Sequence, residues 1–125
     1  MAEITFTGHK TLKSINSEWC DKFPFLYLRF YNAENEAVGD WNNTHASIRA
    51  KKDAKELGTN AGMNVGTFEA RYFDAFGVKV EIMYHKNDRS YRSLDDSNAL
   101  TLNEYNAHCA SLGASKIKDT HPEWF

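Results

Sequence analysis

Residues 12–31, LKSINSEWCDKFPFLYLRFY, and residues 65–84, VGTFEARYFDAFGVKVEIMY, lie 53 positions apart and carry apolar side chains at the same steps. Leu12, Ile15, Trp19, Cys20 and Phe23 coincide with Val65, Phe68, Tyr72, Phe73 and Phe76, and that spacing marks one face of a 3.6-residue helix. Thr11 and Asn64 are N-cap residue types, while Pro24 and Gly77 are matched helix stops. Met63 is placed to pack on Phe68 as a hydrophobic staple. Each helix then runs into a strand, residues 25–31 and 78–84, rich in aromatic and β-branched side chains. A shorter strand precedes each helix, over residues 3–7 and 56–60, the second weakened by Gly58.

Each stretch therefore reads as a βαβ unit, one over about 3–31 and the other over about 56–84. Two such units in tandem predict an α+β, ferredoxin-like domain with an internal repeat: a four-stranded antiparallel sheet with two helices on one face. Residues 32–54 read as an insertion, turn-rich as far as Asp40, with a short helix allowed over 44–53 and Ile48 marking its buried side. Residues 86–99 read as a polar loop. Thr101 and Glu104 form a capping box that opens a C-terminal helix over 101–112, with an apolar stripe of Leu102, Tyr105, Cys109 and Leu112 and with Gly113 to end it. The tail, 119–125, is expected to be loose unless Trp124 and Phe125 find a groove.

The 125 residues suit a single domain, and 42% hydrophobic residues suffice for a core. With 15 basic and 17 acidic side chains, the net charge of −2 gives no whole-protein attraction for nucleic acid or anionic membranes. No apolar run approaches the ~18 residues of a membrane span. The first residues lack the basic and apolar regions of a signal peptide, so a cytoplasmic setting is expected, with Cys20 and Cys109 as thiols.

The phrases KTLKSINSEWCDKFP (10–24) and VGTFEARYFDAFG (65–77) resemble short uncharacterised bacterial proteins. The motifs are structural, and the resemblance implies no activity.

Chemistry-bearing residues are scattered. His9, His45, His85, His108 and His121 show no metal-ligand spacing with each other or with the cysteines, so neither a metal nor a cofactor is expected. Cys20 falls on the apolar stripe, where a structural thiol is expected rather than a nucleophile. The glycine-rich stretch 58–66 leads into a helix but matches neither phosphate-binding fingerprint, and Asp95 and Asp96 read as an acidic turn. A small hydrolase or phosphate-binding enzyme stays open only as a remote alternative, because a ferredoxin-like fold by itself supplies no activity.

The sheet offers more. Alternation sends Leu26, Leu28 and Phe30 inward and Phe25, Tyr27, Arg29 and Tyr31 outward. In the matching strand Val78, Val80 and Ile82 go inward, and Lys79, Glu81, Met83 and His85 outward. An outer face of Tyr27, Arg29, Tyr31, Lys79, Met83 and His85 has the composition of a protein interface, for a partner chain or a second copy. The same mix suits stacking of single-stranded RNA bases. A third reading lays helix 101–112 across this face. The basic residues of segments 49–55 and 86–92 are interrupted by acidic ones, which favours the protein partner.

Overall fold

The computed structural model describes residues 4–51, 57–93 and 97–125. In chain order its elements are β1 (Ile4–Phe6), α1 (Leu12–Lys22), β2 (Tyr27–Phe30), α2 (His45–Ile48), β3 (Leu57–Thr59), α3 (Val65–Phe76), β4 (Val80–Lys86), β5 (Arg89–Arg92), α4 (Leu102–Ser111) and α5 (Ile117–Thr120), with a 3-10 turn at Pro122–Trp124. The two periodic segments are helices with the expected limits. Thr11 Oγ1 accepts from Ser14 N at 3.1 Å and so satisfies one orphan amide of α1. At the far end of α3, Gly77 takes the left-handed conformation that a side chain disfavours, with φ at 72°. Leu12, Ile15, Trp19 and Phe23 and their matched positions Val65, Phe68, Tyr72 and Phe76 are all fully buried. The fifth pair diverges: Cys20 is buried, whereas Phe73 is 58% exposed.

The strands do not form the expected four-stranded ferredoxin-like sheet. Among the described residues they make two antiparallel sheets, β1-β3 and β2-β4-β5. The reason lies in the register, since each strand of the first half pairs with its own counterpart in the second. Thr5 lies opposite Gly58, its partner at the 53-residue offset. In the larger sheet Leu28 faces Ile82 and Arg29 faces Glu81, so the pairing is centred on the middle of β2.

Hydrogen bonds around the helix starts follow a related pattern. Leu12 N and Lys13 N donate to Asn43 O and Trp41 O, as Val65 N and Gly66 N donate to Leu100 O and Asn98 O. His45 N and Ala46 N donate to Lys10 O and Gly8 O, as Leu102 N and Asn103 N donate to Met63 O and Ala61 O. The start of α2 thus stands to α1 as the start of α4 stands to α3. Gly66 allows that approach, because a Cβ there would lie 2.8 Å from Asn98 Cβ.

Part of the expected polar loop 86–99 is a hairpin strand instead. Asn87 and Asp88, at φ 52° and 62°, turn the chain so that β5 pairs with β4. Two consecutive positive φ values match the twist of the flanking strands, and Asn and Asp are the non-glycine residues that tolerate them best. Residues 94–96, including the acidic pair Asp95 and Asp96, lie outside the described residues, as does Glu56 of the expected strand 56–60.

The C-terminal helix does not cross the outer sheet face. The capping box is present, with Thr101 and Glu104 exchanging bonds of 2.9 and 3.1 Å. Leu102, Tyr105 and Cys109 of α4 join the main core on the inner side, while Leu112 is 40% exposed and leaves the stripe. What covers part of the outer face is the tail. Ile117 is fully buried in a second apolar cluster with Cys20, Tyr27 and Met83, against which Trp41, Trp124 and Phe125 pack. Ile117 N–H donates to Pro24 O at 2.9 Å, and Lys118 Nζ reaches Asp21 at 2.7 Å and Ser17 at 2.9 Å on α1. No helix among the described residues is long and apolar enough to cross a membrane.

Candidate interaction face and aromatic groove

Alternation along β2 and β4 places the six outward residues named from the sequence on or beside one sheet face, but the tail divides them. Tyr27, Met83 and His85 are buried. The Tyr27 hydroxyl donates to Ser90 Oγ at 2.7 Å, and its ring lies 5.2 Å from that of Trp124. His85 sits between Ser90 and the tail, with Nδ1 3.3 Å from Ser90 Oγ and Nε2 3.3 Å from His121 Nε2. Burial, then the neighbouring His121, lowers the His85 pKa below its ordinary value. His121 in turn contacts Glu123 at 2.9 Å and lies parallel to the Trp124 ring at 3.9 Å.

Arg29, Tyr31 and Lys79 remain at the open end, organised around one carboxylate. Glu81 lies within 3.9 Å of Arg29, 3.8 Å of Lys79 and 3.7 Å of Arg92, and it accepts a 2.6 Å hydrogen bond from the Tyr31 hydroxyl. The Glu81 side chain is 10% exposed, whereas the three cations are 39% to 66% exposed. Burial, followed by the bond to Glu81, raises the Tyr31 pKa. Lys79 Nζ stands 4.5 Å from the centre of the Tyr31 ring, within cation–π range. The cations surround a buried carboxylate and keep their outer sides in solvent.

Beside this end opens a groove of about 420 Å³, lined by Lys13 on α1, Tyr27 and Arg29 on β2, Trp41, and Glu123 and Trp124 of the tail. The rings of Trp41 and Trp124 meet edge to face at 5.4 Å, a favoured aromatic geometry. Lys13, Trp41 and Glu123 were not singled out by sequence reasoning, which named Trp124 only as a tail aromatic that needs a groove to be held. The available signal was size alone: a tryptophan in a polar segment carries apolar area that folding tends to bury.

The other chemical candidates are structural. Burial raises the Cys20 thiol to about 12, and its Sγ–H donates to Leu26 O at 3.2 Å. Burial likewise raises Cys109 to about 11. Both are protonated at neutral pH and therefore poor nucleophiles. At the glycine-rich stretch the first α3 amides are already bonded to carbonyls of residues 98 and 100, so they do not form an open anion cradle. No group of three or more metal-ligating side chains occurs among the described residues.

Among the described residues His45 is the most deeply buried imidazole. Arg49 Nε–H donates to its Nδ1 at 2.9 Å, which makes Nε2 the protonated nitrogen facing the Tyr72 oxygen at 2.7 Å. Burial, then Arg49, lowers its pKa to about 3, so it is a neutral strut.

Comparison of the chain with protein-family models, with curated proteins and with solved structures finds no match.

Proposed function

We propose that this protein is a non-enzymatic interaction module that binds a partner polypeptide on the outer face of the β2-β4-β5 sheet, at the end the tail leaves open. The observation that carries this reading is continuity: the exposed Arg29, Lys79 and Arg92 cluster adjoins a groove walled by Tyr27, Trp41 and Trp124. Tyrosine, tryptophan and arginine are the residues most enriched at binding hot spots, and a rigid support lowers the cost of ordering them. Here the support is built in, since Glu81 holds Tyr31 and the cations while the tail holds Tyr27. The same carboxylate argues against nucleic acid, because it offsets charge that a phosphate backbone would need.

The test compares wild-type protein with a Tyr31→Ser, Lys79→Ala variant of the exposed edge. Both are first shown to be folded at the assay temperature and to have the same sedimentation coefficient, then used for capture from the native cell extract and for oligonucleotide titration. A discrete polypeptide, or a second copy of the chain, held by the wild type and lost by the variant is the expected result. Equal capture by both proteins overturns the reading. Binding of single-stranded oligonucleotide that weakens steeply with salt overturns it in favour of nucleic acid.

A further inference from the structure

We infer that the groove seats a segment in which a large apolar or aromatic side chain stands next to a carboxylate. This inference rests on the interaction reading and specifies its ligand. The space, about 420 Å³, falls in the range of sites that enclose a small organic group, roughly 300–1,000 Å³. Its walls are ring faces and edges, and the tail already shows what they accept: the Trp124 ring meets those of Tyr27 at 5.2 Å and Trp41 at 5.4 Å, which are themselves 6.2 Å apart. A further ring entering the groove extends that cluster with the same offset or edge-to-face geometry.

Charge selects the neighbour of that ring. Lys13 and Arg29 line the groove against a single acidic residue, Glu123, which lies 2.9 Å from His121, so the cations outnumber the acid in the lining. The backbone of the α1 start does not take an anion, because Leu12 N, Lys13 N and Ser14 N donate to Asn43 O, Trp41 O and Thr11 Oγ1. An anionic group is therefore held by side chains. Arg29 lies 3.9 Å from Glu81, longer than a hydrogen bond, and its side-chain bond to Tyr31 uses only part of a five-donor fork, so the rest can meet a second carboxylate. Two cations at one site suit one or two carboxylates. They do not suit the long anionic track of a nucleic acid, since the carboxylates of Glu81 and Glu123 interrupt the basic surface around the groove.

The experiment uses the full chain and follows the emission of Trp41 and Trp124 while four probes are titrated at low salt. The probes are the peptide Gly-Asp-Phe-Glu-Gly, its counterparts with lysine in place of both acids or alanine in place of phenylalanine, and oligothymidine. Saturable change is expected with the acidic phenylalanine peptide, with binding weaker by about tenfold or more for the other three. Lys13→Gln, a change at a half-exposed position, is expected to weaken the acidic peptide by about tenfold, and Trp41→Ala to remove its binding. Equal response to acidic and basic peptides, or binding unchanged by Lys13→Gln, overturns the inference. If that happens while the Tyr31→Ser, Lys79→Ala variant still loses its captured partner, the ligand class is wrong and the interaction reading stands. If capture is unaffected as well, both fall.

Discussion

Acidification is expected to loosen this protein from within, at His45. The ring is fully buried among Phe6, Phe30, Tyr72 and Phe76. A proton added at Nδ1 would face the N–H of Arg49, which donates there at 2.9 Å and has no lone pair to accept it. The folded pKa, about 3, lies below the ordinary imidazole value of 6.5, so the unfolded chain binds the proton more readily. Stability is then fully present above 6.5, falls as the pH drops through that value, and levels off below about 3. Each pH unit within the window costs about 1.4 kcal/mol, so at about pH 5 the loss is ~2 kcal/mol. That is a sizeable share of the ~5–15 kcal/mol that holds a domain together. His85, whose pKa is also lowered, acts with the same sign. The His45→Gln variant separates them, because glutamine keeps a donor and an acceptor but does not titrate. Urea unfolding of both proteins at neutral pH and at about pH 5 is expected to show ~2 kcal/mol more acid loss in the wild type. Equal acid loss in the two proteins would refute the assignment, as would a His45 ring that NMR finds protonated at about pH 5.

Three further outcomes follow from the packing. Trp19→Ala removes a fully buried indole and is expected to cost about 3–5 kcal/mol in denaturant unfolding, whereas a loss below about 1 would mean that the site is not core. Tyr27→Ser is expected to lower stability, because that ring lies under the tail, while Tyr31→Ser, nearer solvent, is expected to change the unfolding midpoint much less and to act on partner capture. Thr101→Ala breaks the capping box of α4 and is expected to cost about 1 kcal/mol, a loss that midpoint shifts in urea at constant slope would show.

The helices were legible because their burial follows a local period: Leu12, Ile15, Trp19 and Phe23 announce a face without reference to any other element. Alternation also divided β2 correctly, with Leu28 and Phe30 in the core and Arg29 on the outer face. Strand partners were not legible. A strand's pattern tells which side is buried but not which neighbour supplies the hydrogen bonds, so pairing of each strand with its counterpart came only from the structure. The hairpin strand β5 escaped notice because all four of its residues are exposed and its turn carries Asn87 and Asp88 without a glycine. The correspondence between the starts of α2 and α4 was hidden by a change of offset from 53 to 57, with Thr44 and Thr101 the one identity across residues 41–48 and 98–105. The groove was invisible for a related reason. Trp41 and Trp124 sit in polar, aperiodic segments and meet only when the tail folds back on β2.

The most direct measurement places a photo-cross-linking amino acid at Ala37, an exposed residue lining the groove, and separately at Ser111, an exposed residue at the end of α4. Irradiation in the native cell, followed by mass spectrometry, identifies what each position touches. Binding of a polypeptide at the groove predicts a discrete protein adduct from position 37 that Lys13→Glu abolishes and that position 111 does not give. Identical adducts from both positions, an adduct to nucleic acid, or an adduct from position 37 that Lys13→Glu leaves unchanged would contradict it.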